Sequence, residues 1–162
     1  MTDIYKTAVV GASGVNVDHD LASVLAERSD IMTMTQQAHD AALRPVEPGG
    51  LSHGLRAALA CRMARLNSED GMTAHFKAMI GSGIEKIDDP AFGGGEDDRL
   101  RAIIRHTDLV TADAKSVVED DISALKKAGV SEDDIVRLSE LVAFVNYQVR
   151  LATGLRLLGE MS

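Results

Sequence analysis

Residues 68–75, Ser-Glu-Asp-Gly-Met-Thr-Ala-His, bring two hydroxyls, two carboxylates and an imidazole into eight positions. An imidazole titrates near neutral pH, so His75 has the chemistry of a general base or acid, and a carboxylate such as Asp70 could orient it. Ser68 adds a hydroxyl, a weak nucleophile until a base activates it. Ser68, Asp70 and His75 are therefore the candidate catalytic set. Two features temper it. Asp70 precedes His75 by five positions, whereas side chains three or four apart share a helix face. His75 also lies in an apolar run between Met72 and Met79, which equally suits a histidine hydrogen-bonded inside a packing layer.

Basic and polar residues elsewhere supply candidates for holding a substrate. Arg56, Arg62 and Arg65 could meet an anion, or extend from a helix and pair with carboxylates. Asn146, Tyr147 and Arg150 interrupt a long apolar stretch; Asn146 and Arg150 stand one helical turn apart and can address one environment. Burying such groups without partners is costly, so they imply a hydrogen-bond network or a pocket wall. Of these, Arg56, Asn146, Tyr147 and Arg150 are the candidate substrate-binding residues. The remaining histidines, His19, His39, His53 and His106, form no local metal pattern with His75, and neither a metal nor a cofactor is expected. Cys61, the single cysteine, excludes an internal disulfide or C-x-x-C pair and reads as a small buried apolar residue. The early Gly11-Ala12-Ser13-Gly14 fits no phosphate-loop pattern and reads as an irregular N-terminal segment.

Composition narrows the function classes. The chain has 162 residues, 45% of them hydrophobic and 26% charged, enough for a substantial core. Aromatic residues make up only 3%, which leaves little for base-stacking nucleic-acid surfaces. A formal charge of −8 repels phosphate backbones and anionic membranes on average. No stretch approaches the roughly 20 apolar residues of a membrane span, and the opening residues lack a signal-peptide pattern. A cytoplasmic protein binding neither nucleic acid nor membrane is expected.

The elements that must position these side chains are all helical. Short helices are expected over 21–28 and 32–42, ended by the proline- and glycine-rich stretch 44–50. That break divides an N-terminal helical extension, 1–50, from a helical core, 51–162. Ser52 caps a helix to Leu66, with Leu55, Leu59, Met63 and Leu66 on one face and alanines around the rest. Asn67 or Ser68 then caps a helix through Ile80. After an acidic, glycine-rich connection, helices are expected over 99–109 and 114–128, where Gly129 marks an end. Ser131 with Asp134 resembles a capping box, opening a final helix to about Leu158 whose broad apolar face suits a central element or a subunit interface.

Residues 51–80, LSHGLRAALACRMARLNSEDGMTAHFKAMI, and residues 124–159, ALKKAGVSEDDIVRLSELVAFVNYQVRLATGLRLLG, resemble the carboxymuconolactone decarboxylase and alkyl hydroperoxidase D superfamily, in a peroxidase-related subgroup. The resemblance implies a compact all-α multi-helix bundle of that type and a homo-oligomer, commonly a dimer, trimer or hexamer. Redox-active members carry C-x-x-C followed by a histidine. Here Ser68 and Gly71 stand at the two cysteine positions, His75 keeps the histidine, Asp70 replaces a second histidine, and Arg56 replaces an upstream glutamate. Thiol peroxidase chemistry needs one thiolate to attack peroxide and a second thiol to resolve the product. Two-cysteine peroxidase activity is therefore not expected, whatever label the family would pass on. The decarboxylase branch instead suggests a small anionic organic molecule near His75, held by Arg56 or Arg150. Against that small-molecule reading stands a noncatalytic oligomeric scaffold or binding module, and the residues leave open whether the protein is an enzyme.

Overall fold

Side-chain caps explain where several helices begin, and a glycine follows two of the helix ends, in the computed structural model. It describes residues 3–84 and 86–161; the outermost ends of the two expected segments, residues 1–2 and 162, and residue 85 of the acidic connection lie outside the described residues. A 3-10 turn, Ile4–Lys6, leads into α1 (Ala8–Ser13), α2 (Ala22–Ala26) and α3 (Ser29–Leu43). Beyond the proline-glycine break come α4 (His53–Leu66), α5 (Asp70–Lys77), α6 (Asp98–Asp113), α7 (Glu119–Lys127) and α8 (Glu132–Glu160). The fold is all-helical and closely packed, with no strand among the described residues.

Ser52 caps α4 by accepting from the Leu55 N–H at 3.2 Å, and Ser131 caps α8 through the Asp134 N–H at 3.2 Å. Asp134 does not complete a capping box. Its carboxylate instead accepts from the Gly50 N–H at 2.9 Å and from Arg99 and Arg137 at 3.0 and 3.1 Å, fastening the 44–52 loop to α6 and α8. The helix expected over 114–128 is shorter: a 3-10 turn, Ala114–Ser116, ends at extended Val117 and Val118, and α7 starts after them.

The first 18 residues depart furthest from expectation. The Thr7–Gly14 stretch is not irregular; it forms α1, which lies against α5 and α8. Six residues cannot hold a helix alone. Val9 and Val10 are buried to 2% and 0% exposure, and each contributes roughly 1.5–3 kcal/mol by leaving water. Residues on both sides of the 44–50 break enter one apolar cluster, running from Ile4 and Val10 through Leu59 and Phe76 to Leu141 and Leu155. Helix α8 is its axis, packed against α1, α3, α4, α5, α6 and α7. Among the described residues no helix is long and apolar enough to cross a membrane.

Helix α4 is buried on every side from Arg56 to Ala64, arginines included. Arg56 donates to the carbonyls of Leu51, Ala42 and Pro48 at 2.9, 2.9 and 3.2 Å. Arg62 forms a two-pronged ion pair with Asp108, Nε–Oδ1 2.6 Å and Nη2–Oδ2 2.7 Å, and reaches the carbonyls of Ile87, Asp89, Pro90 and Phe92. Two side chains that read equally well as a solvated face thus tie down the two irregular segments. Only Arg65 stays at the surface, paired with Asp88 at 2.9 Å.

Candidate functional site

Ser68 ends α4 rather than starting α5. Its N–H bonds to the Arg65 carbonyl at 3.0 Å, the Glu69 N–H bonds to the Ala64 carbonyl at 3.0 Å, and Ser68 itself has φ 54°. This is a Schellman ending with a left-handed residue at the position glycine usually fills. The α5 cap is Glu69, whose Oε1 accepts from the Gly71 N–H at 3.2 Å. Glu69 is 1% exposed, and its Oε2 accepts from Thr153 at 3.0 Å and Arg156 at 3.2 Å, so the cap is anchored on α8. A serine in the left-handed region is strained relative to glycine. Ser68→Gly is expected to stabilise the fold by about 0.5–1 kcal/mol in urea unfolding; a loss of stability would contradict this account of Ser68.

Gly71 lies where two helices meet. Helix α1 crosses α5 here so closely that a Cβ on Gly71 would run into the Ala12 carbonyl oxygen and lie 2.9 Å from its carbon. The glycine is a contact point between helices. On one side of this contact a cavity of about 380 Å³ is lined by Lys6, Thr7, Ala74 and His75 as well as Ala12 and Gly71. A smaller one, about 280 Å³, is lined by Ser68, Glu69, Asp70 and Arg156 together with the same Ala12 and Gly71. The three candidate catalytic residues are therefore divided: His75 faces one cavity, Ser68 and Asp70 the other. A larger cavity of about 670 Å³ between the N-terminal turn and α2–α3 contains none of the candidate residues.

His75 is half-buried and held from behind. Its Nε2 lies 3.3 Å from Nε2 of His39 on α3, and Nδ1 of His39 lies 3.0 Å from Oε1 of Gln148 on α8. Phe76 stacks on the His39 ring with centroids 5.9 Å apart and meets His75 edge-on at 5.5 Å. Burial, then the neighbouring His39, push His75 down to about 4, with Asp40 opposing weakly. At pH 7 His75 is neutral. The unfolded chain binds a proton on this histidine below about 6.5 while the folded chain does so only near 4, so acid favours unfolding across that window. Discounted for its partial exposure, the loss between pH 6.5 and 4 is on the order of 1–2 kcal/mol. His106, pushed the same way by burial, adds to it. His75→Gln should flatten the acid limb of a stability–pH curve; an unchanged limb would contradict the low value.

The four candidate binding residues lie elsewhere. Arg56 serves the 44–52 loop, as described above. Asn146 is buried; its amide donates to the Val142 carbonyl at 3.0 Å and Thr111 at 3.3 Å, and its oxygen accepts from Asn67. Tyr147 shares a hydrogen bond with Thr35 at 3.2 Å, and Arg150 donates to the Asn146 carbonyl at 3.1 Å. None of the four lines the cavity beside His75. His39, which reaches His75, and Gln148, which reaches His39, were not singled out from the sequence. Their signal was positional: His39 falls in the buried stripe Met32, Thr35, His39, Leu43, and Gln148 in Leu141, Val145, Gln148, Ala152.

Cys61 is fully buried, with its thiol near the Thr73 carbonyl at 3.5 Å and the Asp88 carboxylate at 3.7 Å. Burial, reinforced by Asp88, raises its pKa, which suppresses the thiolate. Among the described residues no group of three or more His, Cys, Asp or Glu side chains could hold a metal ion. Comparisons with family models, with curated proteins and with solved structures found no match to this chain.

Proposed function

We propose that this chain is a carboxymuconolactone decarboxylase-like helical protein that binds a small anionic organic molecule beside His75, and that it lacks two-cysteine peroxidase activity. The observation that carries the reading is the lining of the 380 Å³ cavity. It combines a neutral imidazole, small residues from α1 and α5, and one charged side chain, Lys6, at its rim. The Lys6 side chain is 85% exposed, and its 3.4 Å pair with Asp3 is a solvent-exposed one that an anion can replace. The volume suits a molecule of one ring or a short branched chain. Against thiol chemistry stand the absent cysteine pair and the buried, protonated Cys61.

The test is a chemical-shift titration with a set of small aromatic and aliphatic carboxylates. Perturbed amides should cluster on α1 and α5, and Lys6→Met should weaken binding about 2–5-fold, the scale of one exposed charge contact. Perturbations centred elsewhere, or none, would overturn the reading.

One observation favours an oligomeric scaffold as a second role. Val136, Tyr147 and Leu158 are 58%, 44% and 54% exposed and recur every 11 residues, so they lie on one stripe of α8. The proposed assembly is a homo-oligomer, dimer, trimer or hexamer, using that stripe. Light scattering at several concentrations should show it, and a persistent monomer would remove it.

A further inference from the structure

Three side chains from three helices form a line from the centre of the fold to the cavity: Gln148 on α8, His39 on α3 and His75 on α5. Gln148 is fully buried and His39 is 3% exposed. With the Gln148 amide oxygen on the His39 side, each junction fixes a proton. An amide oxygen can only accept, so Gln148 Oε1 requires the proton of His39 on Nδ1. The His39 Nε2 is then a lone pair, and the His75 Nε2 opposite it must donate. A neutral imidazole has one N–H, so the His75 Nδ1 is left as a lone pair. That atom has no hydrogen-bond partner among the described residues and is not closed off from solvent, while the ring borders the cavity.

Gln148 makes no other side-chain hydrogen bond: its Nε2 is buried without a partner. Such a group costs a fold stability and contributes none. The orientation of the line is what this amide provides.

We propose that Gln148 and His39 are positioning residues that hold His75 as the Nε2–H tautomer, so that its Nδ1 receives a hydroxyl hydrogen from a small hydroxy-carboxylate whose anionic end meets Lys6. The ligand half rests on the cavity assignment above; the tautomer half stands without it. A carboxylate alone would meet Lys6 but bring an acceptor to an acceptor at His75. A hydroxyl next to the carboxylate satisfies both.

The experiment is nitrogen-15 NMR of histidine-labelled protein at pH 7, with and without mandelate or phenylacetate, a pair that differs by one hydroxyl. Without ligand, His75 should show a pyridine-type Nδ1 and a pyrrole-type Nε2. Gln148→Leu should relax it to a tautomer mixture without loss of thermal stability. Gln148→Met replaces Gln148→Leu if that variant does not fold. Mandelate should bind about 10-fold more tightly than phenylacetate, the scale of one buried hydrogen bond, and this preference should shrink to about twofold in Gln148→Leu. A proton on His75 Nδ1, or a tautomer indifferent to Gln148, would overturn the positioning role. Equal affinities would overturn the hydroxy-carboxylate class. Binding of neither acid would remove that class and the cavity reading together, and the tautomer signal would then decide the positioning role by itself.

Discussion

Arg62→Ala is expected to cost about 3–5 kcal/mol, a large share of the stability of a domain this size. The guanidinium is 2% exposed and directs its donors to six oxygens: two of Asp108 and the carbonyls of Ile87, Asp89, Pro90 and Phe92. Asp108, one-third exposed, can recover water when the cation is lost. The Ile87 carbonyl contact is buried, and for that group the replacement is no hydrogen bond at all. Arg62→Lys keeps the charge but cannot reproduce the planar fork, and should still lose about 2–3 kcal/mol. Asp108→Asn leaves the guanidinium buried and uncompensated and should fall between these two. Urea unfolding orders the variants; a loss below about 1 kcal/mol for Arg62→Ala would mean that residues 86–97 hold their place without it.

The same residue shows where sequence reasoning stops. Arg62 sits among alanines, a pattern shared by a solvated helix face and by a helix surrounded on all sides; only the oxygens that converge on it separate the two. Helices α4 and α8 were legible because each carries a long apolar stripe and a serine cap, and α3 because a proline-glycine stop follows it. Helix α1 was not, since six residues carry too little periodicity and its stabilisation comes from α5 and α8. The α4–α5 joint misled for a different reason. Serine is a favoured helix opener, yet here the close of α4 takes Ser68 into the left-handed region and leaves the opening of α5 to Glu69. At the site, the sequence pointed to His75 but paired it with Asp70 by proximity along the chain. Its partner His39 and the Gln148 behind it are 36 and 73 positions away in opposite directions, and each reads locally as a polar position within a buried stripe.

Restoring the cysteine pair by Ser68→Cys with Gly71→Cys should fail to create a peroxidase and should destabilise the protein by about 2–4 kcal/mol. Most of the loss is assigned to position 71, where any Cβ meets the Ala12 backbone, and a backbone carbonyl cannot swing aside as a side-chain tip would. Two responses are open to the chain. Helix α1 can lift from α5, exposing Val9 and Val10, or α5 can tilt and disturb the Glu69 cap that Thr153 and Arg156 hold on α8. Gly71→Ala isolates this steric effect from thiol chemistry and should by itself cost about 1–3 kcal/mol. Ser68→Cys, at an exposed position already in the left-handed region, should cost far less. Hydrogen exchange tells the responses apart: lifting of α1 deprotects residues 8–13 selectively, tilting of α5 deprotects 70–77. If the double variant kept wild-type stability and consumed peroxide with thiol turnover, the close crossing of α1 and α5 could not be what excludes a cysteine at position 71. If it is unstable, as expected, then a side chain at position 71 and the seated N-terminal helix exclude one another: the same crossing that bars a Cβ there supplies the Ala12 wall of the cavity beside His75.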